Sequence, residues 1–341
     1  MSVRTDPAPR RRDWQALAAG VLKGDRSAIG RALTLIESRR ADDWTAAQSL
    51  LNHLLPYSGK AQRVGISGVP GVGKSTFIET LGTYLTGVEH RVAVLAVDPS
   101  SGRTGGSILG DKTRMEKLAT DTNAFIRPSP SAGVLGGVAR ATREAMIILE
   151  AAGFDVVLIE TVGTGQSETM VSDMVDLFLV LMLPGAGDDL QGIKKGILEL
   201  ADIIALNKAD VFADKLKQSM RDYKAALHIL TDASPNWHPP VVACSGLTGE
   251  GVAELWRTVE KHRRITTDSG ERDNRRRTQR LTWLNTQLRD RLVEHFDADA
   301  SVKAIRSDLE EDVLAGRRTV SAAVDSLLSA WTRPDKETGG P

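Results

Sequence analysis

The residues best suited to chemistry form the segment GVPGVGKST, residues 68–76, which follows the apolar run RVGIS. This spacing predicts a phosphate-binding loop between a strand and a helix. Glycines let backbone N–H groups turn inward around phosphates, and the following helix points its positive end at them. We expect Lys74 to reach the β and γ oxygens of a triphosphate and Ser75 to offer a hydroxyl to Mg²⁺. The alternative is a glycine-rich turn at a helix start. The candidate binding residues are Gly68, Val69, Pro70, Gly71, Val72, Gly73, Lys74, Ser75 and Thr76.

A second group of candidates concerns the base of the nucleotide. The run DIIAL is followed by NKAD, residues 207–210, and the run PVVACS leads into SGL, residues 245–247. The carboxylate of Asp210 would accept hydrogen bonds from the ring N–H and the exocyclic amine of guanine, a donor pair that adenine lacks. Alone, each segment is a common polar loop, but after the phosphate loop in this order they favour GTP. The candidates are Asn207, Lys208, Asp210, Ser245, Gly246 and Leu247.

The segment ETVGTGQSE, residues 160–168, follows the apolar run FDVVLI and is suited to sensing a phosphate or a metal. Glu160 stands where many GTPases have aspartate and would contact Mg²⁺ directly or through water, and Gly163 would present its N–H to the γ-phosphate. In Ras-like proteins a water-positioning glutamine follows the glycine at once, whereas Gln166 lies three residues on. We therefore predict slow hydrolysis unless another part of the chain or a partner completes the site.

Two further loops carry candidate metal and catalytic residues. Asp98 ends the run RVAVLAV, and Asp98 and Asp111 are candidate Mg²⁺ ligands beside Ser75 and Glu160, although Asp111 would equally well cap the helix DKTRMEKLA. In the glycine-rich loop of residues 183–196, a lysine would neutralise charge developing on the phosphates or contact another protein. The alternative is a solvated loop. The candidate catalytic residues are Lys74, Asp98, Glu160 and Lys194.

The elements that must position these residues are seven short apolar runs separated by helix-like segments, namely RVGIS, RVAVLAV, AFIRP, FDVVLIE, LFLVLML, DIIALN and PVVACS. This alternation predicts an α/β fold with a mostly parallel central sheet flanked by helices. Ligands of such sheets bind outside the carboxyl ends of the strands, where all the motifs above lie. We predict a helical extension at residues 1–55, a P-loop domain at 56–265 and a helical arm at 266–335.

Composition limits the partners of this chain. Lys+Arg and Asp+Glu number 44 each, so we expect neither nucleic acid nor a membrane surface as a partner. The apolar runs are far shorter than the roughly 20 residues of a membrane helix. A single cysteine fits a reducing compartment, and we expect a cytoplasmic location. We interpret the run RDNRRRTQR, residues 272–280, as a solvated helix start, with a nucleic-acid patch as the alternative.

Several segments together resemble one family. GVPGVGKST, AVDPSS, RTGGSILGDKTRM, FIRPSPS, ETVGTGQSE, LMLPGAGDDLQGIKKGILELAD and NKAD are similar to the MeaB/ArgK family of GTPases. Its members are chaperones of methylmalonyl-CoA mutase and related adenosylcobalamin-dependent acyl-CoA mutases. The resemblance implies a P-loop fold of the signal-recognition and MinD-like class, and a homodimer made by the C-terminal helical arm.

The resemblance also implies a function and roles for residues. It implies a GTPase whose nucleotide state gates adenosylcobalamin loading onto the mutase, and which protects or reactivates the mutase. Lys74 and Ser75 would hold phosphate and Mg²⁺, and the segment around Asp188 and Lys194 would be a partner-coupled switch. The metal region would comprise Asp98, Asp111 and Glu160, and Asp210 would read guanine.

Three other functions remain open at this level. A P-loop protein of this type would also serve as a kinase of a protein or small molecule, although no separate acceptor pocket is visible in the sequence. A metallochaperone GTPase of the nickel-insertion kind needs Cys or His ligands, whereas this chain has one cysteine and six scattered histidines. A purely regulatory binding module without useful hydrolysis is consistent with the position of Gln166.

Overall fold

The fold is built around a seven-stranded parallel sheet. The computed structural model describes residues 13–38, 40–97, 115–128, 135–161, 167–185, 195–229 and 234–332. The strands are β1 Gln62–Gly68, β2 Val92–Val97, β3 Ala124–Arg127, β4 Val156–Thr161, β5 Leu177–Met182, β6 Ile203–Leu206 and β7 Val241–Ala243. They lie in the order β3-β2-β4-β1-β5-β6-β7, and every neighbouring pair is parallel. Each of the seven apolar runs is thus confirmed as a strand.

Helices precede, connect and follow these strands. Their bounds are α1 Trp14–Leu22, α2 Arg26–Glu37, α3 Ala41–Leu54, α4 Lys74–Gly87, α5 Glu116–Thr120, α6 Leu135–Ala151, α7 Ser167–Ser172, α8 Lys195–Glu199, α9 Ala213–Ile229, α10 Val252–Asp268, α11 Glu271–Ala298, α12 Ala300–Leu314 and α13 Val320–Trp331. Asp13 and Asp25 cap α1 and α2, because each carboxylate accepts hydrogen bonds from backbone N–H groups of the first turn. Within the described residues, no helix is long and apolar enough to cross a membrane.

Both faces of the sheet are covered, which explains why the strands are apolar along their whole length. On one face, Val157 and Phe178 pack in a core with Leu149 of α6 and residues of α1–α3, such as Leu33. On the other face, Val64 packs in a second core with residues of α4 and α10. The N-terminal helices are therefore part of the same packed layer as α6.

The chain divides into two compact units, Met1–Arg276 and Arg277–Pro341. The second unit contains α12 and α13, which pack together, and the rings of Phe296 and Trp331 meet edge to face at 5.6 Å. Its part of α11 carries leucines every three or four residues that are 46–62 % exposed. They are Leu281, Leu284, Leu288 and Leu292.

The arginine-rich run is the start of a helix, as predicted, but only part of it is solvated: Arg277 is exposed, whereas Arg276 is buried, so the interpretation was wrong for Arg276. Arg276 is 5 % exposed, and its guanidinium donates two hydrogen bonds to Asp176, at 2.6 and 2.7 Å, and one to the Ala61 carbonyl, at 2.8 Å. Arg275 donates to the Asp202 carboxylate at 3.0 Å. Asp176 and Asp202 directly precede β5 and β6, so these arginines join α11 to the amino ends of the strands.

The pair of Arg276 and Asp176 is buried and charged. Burial alone would raise the pKa of Asp176, but the hydrogen bonds and charge of Arg276, with Arg272 and Arg63 nearby, hold it below its usual range. The Asp176 carboxylate also accepts the backbone N–H of Arg63 at 3.0 Å, which links β1 to the strand beside it. Such a pair tolerates the loss of neither partner, because the remaining charge would stay buried.

We therefore expect Arg276→Ala to lower the free energy of unfolding by about 3–5 kcal/mol, because the buried carboxylate of Asp176 would lose the cation that donates two hydrogen bonds to it. Denaturant unfolding followed by circular dichroism measures this loss. Arg277→Ala is the matched control, since Arg277 is the next residue of the same helix and is exposed. It should change the free energy by no more than about 0.5 kcal/mol. Equal losses for the two variants would contradict the assignment.

Candidate functional site

The predicted phosphate loop connects the central strand to a helix. β1 ends at Gly68, and α4 begins at Lys74. Gly73 precedes the helix with φ 92°, in the left-handed region that favours glycine, and a Cβ there would lie 3.2 Å from Nδ2 of Asn207. Because α4 starts at the loop, its free backbone N–H groups and its positive dipole end face the space where phosphates would lie.

Lys74 and Ser75, at the start of α4, are placed for phosphate and metal chemistry. Nζ of Lys74 donates to the Gly68 carbonyl at 2.8 Å. Burial lowers the pKa of Lys74, and the charges of Glu160 and Glu168 oppose that shift. The hydroxyl of Ser75 donates to Oε1 of Glu160 at 3.0 Å. A hydroxyl and a carboxylate oxygen therefore meet beside the loop, and such hard oxygen donors suit Mg²⁺.

Asn207 joins the phosphate loop to the loop after β7. Its Nδ2 donates to the Val72 carbonyl at 2.8 Å, and its Oδ1 accepts the backbone N–H of Gly246, also at 2.8 Å. Lys208 adds a second link, because its Nζ donates to the Gly71 carbonyl at 2.9 Å. The residue types of NKAD suggested base recognition, but this bridging role had no signal in the sequence.

The loop of residues 245–247 lies directly against α4. A Cβ at Gly246 would come within 2.9 Å of Cα of Phe77, so the approach of the two backbones requires glycine. The hydroxyl of Thr80 donates to the Gly246 carbonyl at 2.6 Å. Ser245 is buried, whereas Leu247 is 77 % exposed. Asp210 is also exposed, so its carboxylate is accessible to a ligand.

The carboxyl ends of β1 and β4 are tied by two hydroxyl groups. Thr161 donates to Ser67 at 2.8 Å, and both side chains are completely buried. This contact holds Glu160, the preceding residue of β4, beside the phosphate loop. Sequence reasoning passed over both residues, although a serine and a threonine at the ends of apolar strands are the available signal.

Four predicted site residues lie outside the residues that the structure describes: Asp98, Asp111, Gly163 and Lys194. The same is true of Gln166. In the described part of the chain, no group of three or more His, Cys, Asp and Glu side chains is placed to hold a metal ion. The roles assigned to these residues from the sequence stay predictions.

Comparison with known proteins relates this site to a family. Residues 29–301 match the family model described as methylmalonyl Co-A mutase-associated GTPase MeaB. The chain is 58 % identical to a putative GTPase of Caulobacter vibrioides over 319 residues, which cover 94 % of this chain and 98 % of that protein. It is 46 % identical to GTPase ArgK of Escherichia coli over 278 residues, covering 81 % of this chain and 84 % of that one.

Two further comparisons agree. The mouse mitochondrial methylmalonic aciduria type A homolog is 43 % identical over 328 residues, covering 92 % of this chain and 79 % of that protein. A crystal structure described as an LAO/AO transport system kinase has a TM-score of 0.76 at 33 % identity, and the match covers 96 % of this chain and 100 % of that one. Its P-loop fold is the fold seen here. The family model spans most of the chain and relatives match it almost end to end, so this protein belongs to the MeaB family of methylmalonyl-CoA mutase-associated GTPases.

Proposed function

We propose that this GTPase is a chaperone that gates adenosylcobalamin loading onto methylmalonyl-CoA mutase or a related acyl-CoA mutase, and that protects or reactivates that enzyme. The match of residues 29–301 to a family described by its association with the mutase carries this proposal. The mouse relative, named for methylmalonic aciduria, supports it. For such gating, the GTP-bound and GDP-bound states would differ in their affinity for the partner, so the bound nucleotide would shift the binding equilibrium.

The phosphate end of the site would work through residues that now contact one another. We propose that Lys74 moves from the Gly68 carbonyl to the β and γ oxygens of GTP. Ser75 and Glu160 would exchange their 3.0 Å contact for oxygens around Mg²⁺, with Asp98 and Asp111 in the same region. When bound, Mg²⁺ supplies positive charge that offsets the charge developing on the phosphates. Because Glu160 is the penultimate residue of β4, nucleotide uptake would pull on the segment that follows Thr161 and contains Gly163.

The base end would hold guanine between the loops that Asn207 joins. We propose that Asp210 accepts the two guanine donors, and that the backbone of residues 245–247 offers N–H groups to the guanine carbonyl. The side chains of Lys208 and Leu247 would cover the ring. Because Asn207 is hydrogen-bonded to both Val72 and Gly246, the base and phosphate ends would move as one unit.

Asp210→Asn should shift the preference from GTP toward xanthosine triphosphate, because the amide would donate to the carbonyl that xanthine has at the position of the guanine amine. We expect GTP affinity to fall by roughly 10²- to 10⁴-fold. Equilibrium binding of both nucleotides measures the shift. Asp214→Asn, on the first turn of α9, is the control and should bind GTP as the wild type does. Unchanged GTP affinity of Asp210→Asn would show that the guanine site lies elsewhere.

Lys194 is proposed to act only when the partner is present. Lys194→Ala should bind GTP nearly normally and lose partner-stimulated hydrolysis by about 10²-fold, because one charge that stabilises the transition state would be missing. GTP turnover, measured alone and with methylmalonyl-CoA mutase, tests this. Lys224→Ala, an exposed lysine of α9, is the control. A wild-type response of Lys194→Ala would return Lys194 to the role of a solvated loop residue.

The same assay tests the proposed function as a whole. The mutase should raise GTP turnover, and the nucleotide should change the rate at which adenosylcobalamin passes to the mutase. No effect on either rate with any acyl-CoA mutase would contradict the chaperone function. The solved relative described as a transport system kinase motivates a parallel measurement. Transfer of the γ-phosphate of labelled GTP to a protein, in place of its release as phosphate, would favour a kinase.

We further propose that the helical arm, residues 266–335, forms a homodimer. The exposed leucines of α11 support this, because a stripe of leucines at this spacing is typical of helices that pack against a second helix. We expect Leu284→Glu to convert a dimer into a monomer in light scattering after size-exclusion chromatography. Leu314→Glu is the control, because Leu314 is 88 % exposed and lies on another helix, outside the stripe. A monomeric wild type would overturn the proposal.

We propose, first, that this protein is located in the cytoplasm and, second, that neither a nucleic acid nor a membrane is its partner. The equal numbers of basic and acidic residues support the second statement. The cysteine count supports the first, since a chain with the single cysteine Cys244 forms no intrachain disulfide, as is usual in a reducing compartment. Recovery of the protein in a membrane fraction after cell fractionation would contradict this placement.

A further inference from the structure

Thr80 lies in the second turn of α4 and has no role in the nucleotide site proposed above. Its side chain is half-buried, and its hydroxyl donates to the Gly246 carbonyl at 2.6 Å. Its Cγ2 lies 3.7 Å from where a Cβ on Gly249 would be, so the methyl group also faces the loop after β7. Thr80 therefore joins the helix that begins at Lys74 to the loop of residues 245–250.

The loop of residues 245–250 is held in shape by its own hydrogen bonds. The N–H of Ser245 donates to the Glu250 carbonyl, and the Ser245 carbonyl accepts the N–H of Gly249, both at 2.9 Å. Oγ of Ser245 accepts the N–H of Thr248 at 3.1 Å. Because Ser245 is completely buried, these contacts anchor the loop directly after β7.

The N–H of Leu247 is the exception in this loop, because no described residue accepts a hydrogen bond from it. By contrast, the N–H of Gly246 donates to Oδ1 of Asn207 at 2.8 Å, and that of Glu250 donates to Oγ1 of Thr248 at 3.3 Å. Leu247 is exposed, so a ligand can approach this donor. The loop therefore offers the backbone N–H of Leu247 to a hydrogen-bond acceptor from outside.

The direction of that N–H is set by Thr80. The Gly246 carbonyl and the Leu247 N–H belong to one peptide group, and no peptide bond of the described chain is cis. In a planar trans peptide the carbonyl and the N–H point in opposite directions. Because the carbonyl points at Thr80, the N–H of Leu247 points away from it. The peptide group before Gly246 is also fixed, since its N–H donates to Asn207.

We propose that Thr80 is a positioning residue for guanine recognition, because its hydroxyl orients the Gly246–Leu247 peptide so that the N–H of Leu247 meets the guanine carbonyl. Thr80 itself would touch no part of the nucleotide. Without the hydroxyl, this peptide would sample other orientations, and guanine binding would have to order it. The inference rests on the proposed guanine site, and it assigns the contact with the guanine carbonyl to a single N–H group of residues 245–247.

Thr80→Val tests this, because it removes the hydroxyl and keeps the shape. We expect GDP to bind about five- to tenfold more weakly, since the hydrogen bond that orients the donor is lost. Isothermal titration calorimetry with GDP and Mg²⁺ measures the affinity. Thr80→Ser retains the hydroxyl and should bind GDP as the wild type does. Thr83→Val is the matched control, since Thr83 lies on the next turn of α4 and is exposed, and it should also match the wild type.

Two analogues of GDP distinguish positioning from general support of the loop. 6-Thioguanosine diphosphate has sulfur, a weak hydrogen-bond acceptor, in place of the carbonyl oxygen. Inosine diphosphate keeps the carbonyl and lacks the exocyclic amine that Asp210 is proposed to bind. The wild type should prefer GDP to both analogues. In Thr80→Val the preference over the thio analogue should shrink severalfold, whereas the preference over inosine diphosphate should stay the same.

Several outcomes would overturn the proposal. Unchanged GDP binding by Thr80→Val would exclude a role for the hydroxyl, and equal losses for GDP and both analogues would show that Thr80 supports the loop without acting on the guanine carbonyl. If Thr80→Val does not fold, as judged by circular dichroism, Thr80→Ala is measured in its place, and failure of both to fold would reject the proposal in favour of a structural role.

The wild-type measurements separate this inference from the guanine site on which it rests. A wild type that binds GDP and inosine diphosphate equally would contradict the proposed guanine site itself. With that preference intact, normal GDP binding by Thr80→Val would reject only the role of Thr80. No mutase is present in these assays, so their outcome is independent of the proposed chaperone function.

Discussion

The structure depends on one constraint: a parallel sheet must be covered on both faces, because its strands are joined by crossover connections and are apolar on each side. In this chain α1–α3 and α6, with Leu149, cover one face of the sheet, and α4 and α10 cover the other face, where Val64 lies. Since all seven strands run in one direction, their carboxyl ends share one edge. The phosphate loop and the segments after β6 and β7 follow strands at that edge, and Glu160 lies near the carboxyl end of β4 there. The nucleotide site is therefore a consequence of covering the sheet.

Hydrogen bonds at that edge connect the loops and strand ends of the site to one another. Asn207 is bonded to the phosphate loop and to Gly246, and Thr161 is bonded to Ser67 across two neighbouring strands. These contacts are buried, so each hydrogen bond is costly to break without a replacement. Lys74 differs, because its Nζ donates to the Gly68 carbonyl, a partner that a phosphate would replace. The site thus combines a rigid frame with one cation whose partners can change.

The opposite edge of the sheet has its own polar cluster. Arg275 and Arg276 bring positive charge to Asp176 and Asp202, which precede two strands, and the carbonyl of Ala61 accepts from Arg276. A buried bidentate pair of this kind adds geometric specificity more reliably than it adds stability. Here it fixes where α11 begins relative to the amino ends of β5 and β6. Both edges of the sheet are therefore held by side chains from distant parts of the chain.

The sequence by itself determined the seven strands, the phosphate loop and the family, because these depend on local patterns of apolar residues and on short motifs with fixed spacing. Only the tertiary structure showed that Asn207 bridges two loops, since Asn207 and Val72 are 135 residues apart in the sequence. It also showed that Arg276, in a charged run interpreted as a solvated helix start, is buried. The residue type shows that arginine is charged. Whether the guanidinium is buried depends on which carboxylates the folded chain places beside it. A local sequence pattern shows the periodicity of apolar residues, whereas the partners and the burial of a side chain depend on the tertiary packing.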